Sequence, residues 1–234
     1  AAMMQRVQIV VRRKPKCIVF AEGEEPAVIR AAYAFRELGL GNAVLIGREE
    51  QVRSNMAQLG IPDHASLKIE NARLSEHNAE YTDFLYKRLQ RFGFLNRDAQ
   101  RLVNLDRNVF AACMVALGHA DGMVTGTTRN YATALDDVLK VIDPARGERV
   151  MGMSIVLMKG RTLFISDTAV AEFPDPPELA QIVLQSAAMA RQFGATPRVA
   201  LLSHSTFGNP KMERSEKIRE AVTILDRRED IDFE

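Results

Sequence analysis

Short apolar runs alternate along the chain with longer stretches in which apolar residues recur every three or four positions. Residues 17–20, CIVF, form the first run and 43–47, AVLIG, the second. Between them Val28, Ile29, Ala32, Phe35 and Leu38 fall at helical spacing. Glu24, Glu25 and Pro26 suit a first helical turn. Acids there meet the positive end of the helix dipole, and proline has no intrahelical bond to lose. Gly39 suits the position just past the helix. A strand, a helix and a strand in this order predict a parallel sheet and an α/β fold.

The same reading continues downstream. Residues 48–59 are expected to be helical and 67–71 to form a short strand. Tyr81, Leu85 and Leu89 share one face of a helix over 78–92. A further helix carries Val109, Phe110, Cys113 and Met114 and runs to Leu117, with Gly118 ending it. DGMV at 121–124 is the next strand. After a loop at 143–148, VMGMSIVLM and RTLFISD flank a Lys-Gly turn and predict a hairpin. Asp175 is a candidate N-cap, with prolines in the first turn after it. Leu179, Ile182, Val183, Ala187, Ala190 and Phe193 form the apolar face of that helix, and Gly194 closes it. RVALLS at 198–203 reads as a strand, and 214–228 as a helix with Ile218, Val222 and Leu225 on one face. IDFE at the end reads as the start of another strand, so a larger parent protein is expected. The switch from β-α alternation to a hairpin puts a domain boundary near 128–148, with lobes at 1–130 and 131–234.

Composition narrows the function class. The 234 residues are 47% hydrophobic and 26% charged, with 31 basic against 30 acidic residues. That balance lacks a basic footprint for nucleic acid. The run VVRRKPK near the N-terminus reads as a solvated lead-in to the first strand. No apolar stretch reaches the roughly 18 residues that span a bilayer, and no signal-peptide pattern opens the chain. Two separated cysteines, Cys17 and Cys113, fit buried thiols in a reducing cytoplasm. No CxxC or HExxH spacing occurs and the histidines are scattered, so no dedicated metal site is expected. AEGEEP at 21–26 has one glycine among three carboxylates, which excludes a phosphate loop. LGLGNA lacks the third glycine of a dinucleotide fingerprint and follows a helix.

The chemistry concentrates at DGMVTGTTRNYATALDDVLKVI, residues 121–142. Tyr131, Ala134, Leu135, Val138, Leu139 and Ile142 share a helical face, and Asn130 suits the N-cap. Thr125, Gly126, Thr127, Thr128 and Arg129 therefore lie between the carboxyl end of a strand and the start of a helix. Ligands of open α/β sheets bind there. Free backbone N–H groups, three hydroxyls and a guanidinium favour an anion, and Gly126 allows close backbone approach. The other reading is a capped helix with a solvated arginine. Ser203, His204, Ser205, Thr206 and Gly208 occupy the same position after a later strand, as cleft donors or as a polar loop. His204 is there as an acid–base candidate or as a structural ring. Asp167, after the second hairpin strand, is a candidate partner for Arg129 or a ligand, or else a cap.

Four segments also carry a family likeness: VFAEGEEPAVIRAA, GHADGMVTGTTRNYATALDDVLKVI, GRTLFISDTAV and RVALLSHSTFGNPKMERSEKIREAV. Together they resemble the phosphate acetyl/butyryltransferase family over nearly the whole chain. NLDRNVFAACMVALGHADGMVTG and YTDFLYKRLQRFGF resemble the C-terminal phosphotransacetylase-like domain of bacterial NADP-dependent malic enzymes. The resemblance implies a two-lobed, three-layer α/β/α fold with a ligand cleft between the lobes. It implies acetyl-CoA or CoA and phosphate (or acetyl phosphate) as ligands, lined by Thr125 to Arg129 and by the loop from Ser203 to Gly208. Homodimers or larger assemblies are implied too. NADP and Mg or Mn would belong to an attached malic enzyme part. Active members of the family carry a Ser-Arg motif and an aspartate near their C-terminus, in a region that residues 1–234 do not reach. Two readings follow: an acetyl-CoA-sensing regulatory domain, or a working acetyltransferase in which Arg129 and the loop hold phosphate. A scaffold is the third.

Overall fold

The structure, a computed structural model, describes residues 2–62, 67–203, 212–226 and 232–233. The chain divides into two compact units. One spans Gln8–Asp143; the other combines Ala1–Val7 with Pro144–Glu234.

The Gln8–Asp143 unit is built on a four-stranded parallel sheet of order β3-β2-β1-β4. Its strands are β1 (Lys16–Phe20), β2 (Gly41–Ile46), β3 (Lys68–Glu70) and β4 (Gly122–Val124). Alternate residues of β1 and β2 serve opposite faces. Phe20, Ala43 and Leu45 pack with Ile29 and Ala32 of α2 (Pro26–Glu37) and with Val52 and Met56 of α3 (Glu49–Gln58). Val19, Val44 and Ile46 pack on the other side. Their partners are Tyr81 and Leu85 of α4 (Asn78–Leu89), Val103 of α5 (Asn96–Leu105), and Val109 and Phe110 of α6 (Arg107–Ala116). Strands buried on both faces need apolar residues at every position, which is why CIVF and AVLI read as unbroken runs. This unit is a three-layer α/β/α sandwich, completed by α7 (Tyr131–Leu139).

Three local expectations change. The lead-in is a helix, α1 (Ala2–Arg13), whose Val7 and Val11 are half-buried one turn apart. The helix expected to run to Leu117 is broken at Asp106, whose carboxylate caps α6 by accepting from the amides of Asn108 and Val109. The strand expected at 198–203 is only β7 (Arg198–Val199), paired in parallel with β8 (Asp232–Phe233).

In the second unit the hairpin forms as expected, with β5 (Met153–Met158) antiparallel to β6 (Arg161–Ser166). Asp175 caps α8 (Pro176–Gln192), and Glu178 returns the bond to the Asp175 amide. Ala180 and Val183 of α8 pack with Leu225 of α9 (Glu213–Leu225). Among the described residues no helix is long and apolar enough to cross a membrane.

Candidate functional site

The carboxyl edge of the parallel sheet is where an α/β fold presents ligand groups. On it β1 runs out into Glu22 and Glu24, β2 into Arg48, β3 into Arg73, and β4 into the loop Thr125–Arg129. Gly23 separates the two carboxylates. Its N–H donates to the Ile46 carbonyl at 3.0 Å, and a Cβ there would sit 2.7 Å from the Ile46 nitrogen. Only glycine lets β1 leave the sheet this close to β2.

Glu22 is 4% exposed, and its carboxylate reaches the β4 loop. It accepts from the Thr127 N–H at 2.6 Å, the Thr128 N–H at 2.7 Å and the Thr128 hydroxyl at 2.5 Å. Burial pushes this carboxyl up, but the bonds from Thr128 and Thr127 outweigh it and hold it below the ordinary value. Gly126 makes the loop possible with φ +98°, a conformation that side chains rarely tolerate. The amides that the sequence offers to an anion are thus held by an anion of the protein's own. Asn130 caps α7 by accepting from the Thr133 amide.

Arg129 points elsewhere than the sequence reading suggests. Its Nη1 donates to Asp106 at 2.6 Å and to Asp137 at 2.5 Å. Asp137, 4% exposed, also accepts from Lys140 at 2.8 Å and from the Asn108 amide at 3.3 Å. The Thr125 hydroxyl donates to Asn108 at 2.5 Å, so it joins the same network. Burial pushes the Asp137 carboxyl up; Lys140 and Arg129 outweigh it and hold it low. The arginine is the clamp of a partly buried polar network joining α6, the loop and α7.

Glu24 organises a third cluster. It accepts from the Arg48 amide at 2.8 Å and from the Arg48 guanidinium, and pairs with Arg107 at 2.8 Å. Burial pushes its pKa up, yet Arg48 and Arg107 bring it down to about 2. Beside it lies a cavity of about 500 Å³ lined by Glu24, Arg48, Asn71, Arg73, Asn104 and Arg107. Three guanidinium groups against one carboxylate leave this hollow net positive, as an anionic ligand requires.

Asp167 belongs to the other unit. It accepts from the amides of Gly152 and Ala171 at 2.7 Å and of Ala169 and Val170 at 3.1 Å. Burial pushes it up, but those bonds hold it low. Asp167 organises its own loop, and Arg129 is bonded to Asp106 and Asp137. Ser203 is exposed. His204, Ser205, Thr206 and Gly208 lie outside the described residues.

Sequence reading missed Glu22, Glu24, Arg48, Asp106, Arg107, Asn108 and Asp137. One signal was visible for Asp137. It stands between Ala134 and Val141 in the helical period, at a position that should face inward.

A family model for phosphate acetyl/butaryl transferase matches residues 2–233. The chain belongs to that family. The NADP-dependent malic enzyme of Rhizobium meliloti (strain 1021) is 57% identical over 235 aligned positions, covering 100% of this chain and 31% of that protein. The phosphate acetyltransferase of Helicobacter pylori (strain J99) is 30% identical over 96% of this chain and 43% of its own length. A phosphotransacetylase crystal structure from Streptococcus pyogenes has the same fold, with a TM-score of 0.89 and 27% identity over 100% of this chain and 71% of that one. The chain spans only 28–31% of the two malic enzymes from Rhizobium meliloti and Rickettsia prowazekii, and matches such enzymes as their C-terminal part.

Proposed function

We propose that this chain is the phosphotransacetylase-like domain of an NADP-dependent malic enzyme, where it binds acetyl-CoA as a regulator and supports oligomerisation. The parent enzyme would oxidatively decarboxylate malate with NADP and Mg or Mn held in its other part. The observation that carries binding without transfer is the occupied loop. Glu22 holds both amides and a hydroxyl that would otherwise stabilise a transferred phosphate, and Arg129 is held by Asp106 and Asp137. Positive groups instead gather in the hollow beside Glu24, which suits the phosphates of an acyl-CoA. Binding there can bias a distant site only through a difference in affinity between two states, typically about 1–3 kcal/mol.

A working phosphate acetyltransferase is the second reading, favoured by 30% identity with the Helicobacter pylori enzyme over 96% of this chain. In that case coenzyme A thiolate would attack acetyl phosphate, with Arg129 and the loop holding the phosphate. Two assays on the full-length protein separate the readings. We expect acetyl-CoA to change malate-dependent NADP reduction, with no phosphate-dependent release of CoA from acetyl-CoA. Robust release would overturn the regulatory reading. Malic activity indifferent to acetyl-CoA, without release, would leave neither standing.

A further inference from the structure

The histidines that look scattered in sequence do not all stay apart. His77 precedes α4, Glu80 lies in its first turn, and His119 follows α6. Their ligand atoms come within 4.8 Å of one another. The imidazoles of His77 and His119 lie 4.2 Å apart between ring centroids. One oxygen of Glu80 faces both rings, 3.3 Å from His77 Nδ1 and 3.9 Å from His119 Nε2. We infer that His77, Glu80 and His119 form a binding site for a Zn2+-class divalent metal ion, separate from the carboxyl-edge loops.

The geometry is close to what the metal needs. Ligand atoms about 2.0–2.1 Å from a tetrahedral zinc lie roughly 3.3 Å apart. The His77–Glu80 separation already has that value, and the His119–Glu80 separation needs to close by about half an ångström. Two imidazoles and one carboxylate are a known zinc donor set, with water in the fourth position. The side chains of His77 and His119 are about one-third exposed and that of Glu80 about half, so an ion can enter from solvent. Behind them the support is fixed. Tyr81 is fully buried, and its hydroxyl lies 2.6 Å from His119 Nδ1. With the metal on Nε2, the Nδ1–H would donate to that oxygen, the outer contact that orients a metal-bound imidazole. The His119 amide donates to the Met114 carbonyl at 2.8 Å, which holds the backbone of this turn.

The test uses intact protein stripped with chelator and dialysed against Zn2+ alone. Wild type should bind one more Zn2+ per chain than the double variant His77→Ala, His119→Ala. Glu80→Gln should weaken that site at least about tenfold. With Co2+ in place of Zn2+, wild type should give the intense visible bands of a tetrahedral complex and the double variant should not. Equal metal binding by wild type and variants, or only a weak six-coordinate Co2+ spectrum in wild type, would overturn the inference. Glu80 is half exposed, so Glu80→Gln carries the comparison if the double variant does not fold.

Discussion

Glu22 and Arg129 illustrate how side chains of opposite charge can both be spent inside the protein. The acid satisfies amides of the Thr127–Thr128 turn; the arginine bonds two aspartates, Asp106 and Asp137. Replacing Arg129 by alanine leaves Asp137 buried with only Lys140 and Asn108. The expected cost is about 1–3 kcal/mol, read as a lower urea midpoint. Lysine keeps the positive charge opposite both aspartates and should recover part of this loss. An unchanged midpoint for Arg129→Ala would show that the network contributes nothing. Glu24 makes a second, pH-dependent prediction. Its folded pKa of about 2 lies below the ordinary 4.5, so the unfolded chain takes up the proton first. Its contribution is complete above about pH 4.5 and is lost as pH falls toward 2. The ceiling is roughly 3 kcal/mol at about 1.4 per pKa unit, and screening at the exposed Arg48 reduces it to about 1–2. Denaturation of wild type and Glu24→Gln should therefore differ near neutral pH and converge in acid; parallel curves would refute the pairing. The threonines were legible as donors from their place after a strand. Their acceptor was not, because Glu22 lies 105 residues away and only the β1–β4 pairing brings it there.

Elements obey local rules until a single residue carries two roles. The hairpin, α7 behind Asn130 and α8 behind Asp175 were all readable, since caps and turns act within four residues of chain. The break between α5 and α6 was not, because apolar periodicity runs on either side of it. Asp106 makes that break: one oxygen accepts from the α6 amides and the other from Arg129. The roles can be separated. Asp106→Asn keeps a side-chain acceptor for the α6 amides and loses the charge opposite Arg129; Asp106→Ala loses both. Loss of the cap costs about 1 kcal/mol, so alanine should be the less stable variant by about that amount. Equal stabilities would mean that the α6 amides find another acceptor. The result bears on the site as well, since α6 carries Asn108, to which the Thr125 hydroxyl is bonded.

The whole molecule is two units with separate cores. Both apolar clusters that sandwich the parallel sheet lie between Cys17 and Ile142, inside the Gln8–Asp143 unit. The cluster of Ala180, Val183 and Leu225 lies in the other. A unit that buries both faces of its own sheet has what a domain needs to fold alone. The sequence pointed to such a division only through the change from β-α repeats to a hairpin. Burial adds the reason: α7 pairs Asp137 with Asn108 of α6, and Val141 just beyond it joins the sheet's core. We expect a fragment of residues 8–143 to be soluble, to keep the circular dichroism of a mixed α/β protein, and to unfold in one cooperative urea transition. Phe110→Ala, which empties the site of a fully buried ring, should lower its stability by about 3–5 kcal/mol. A fragment without a cooperative transition would show that this core is incomplete without the rest of the chain. A cooperative fragment that Phe110→Ala leaves unchanged would show that the layer of α4, α5 and α6 does not hold the sheet.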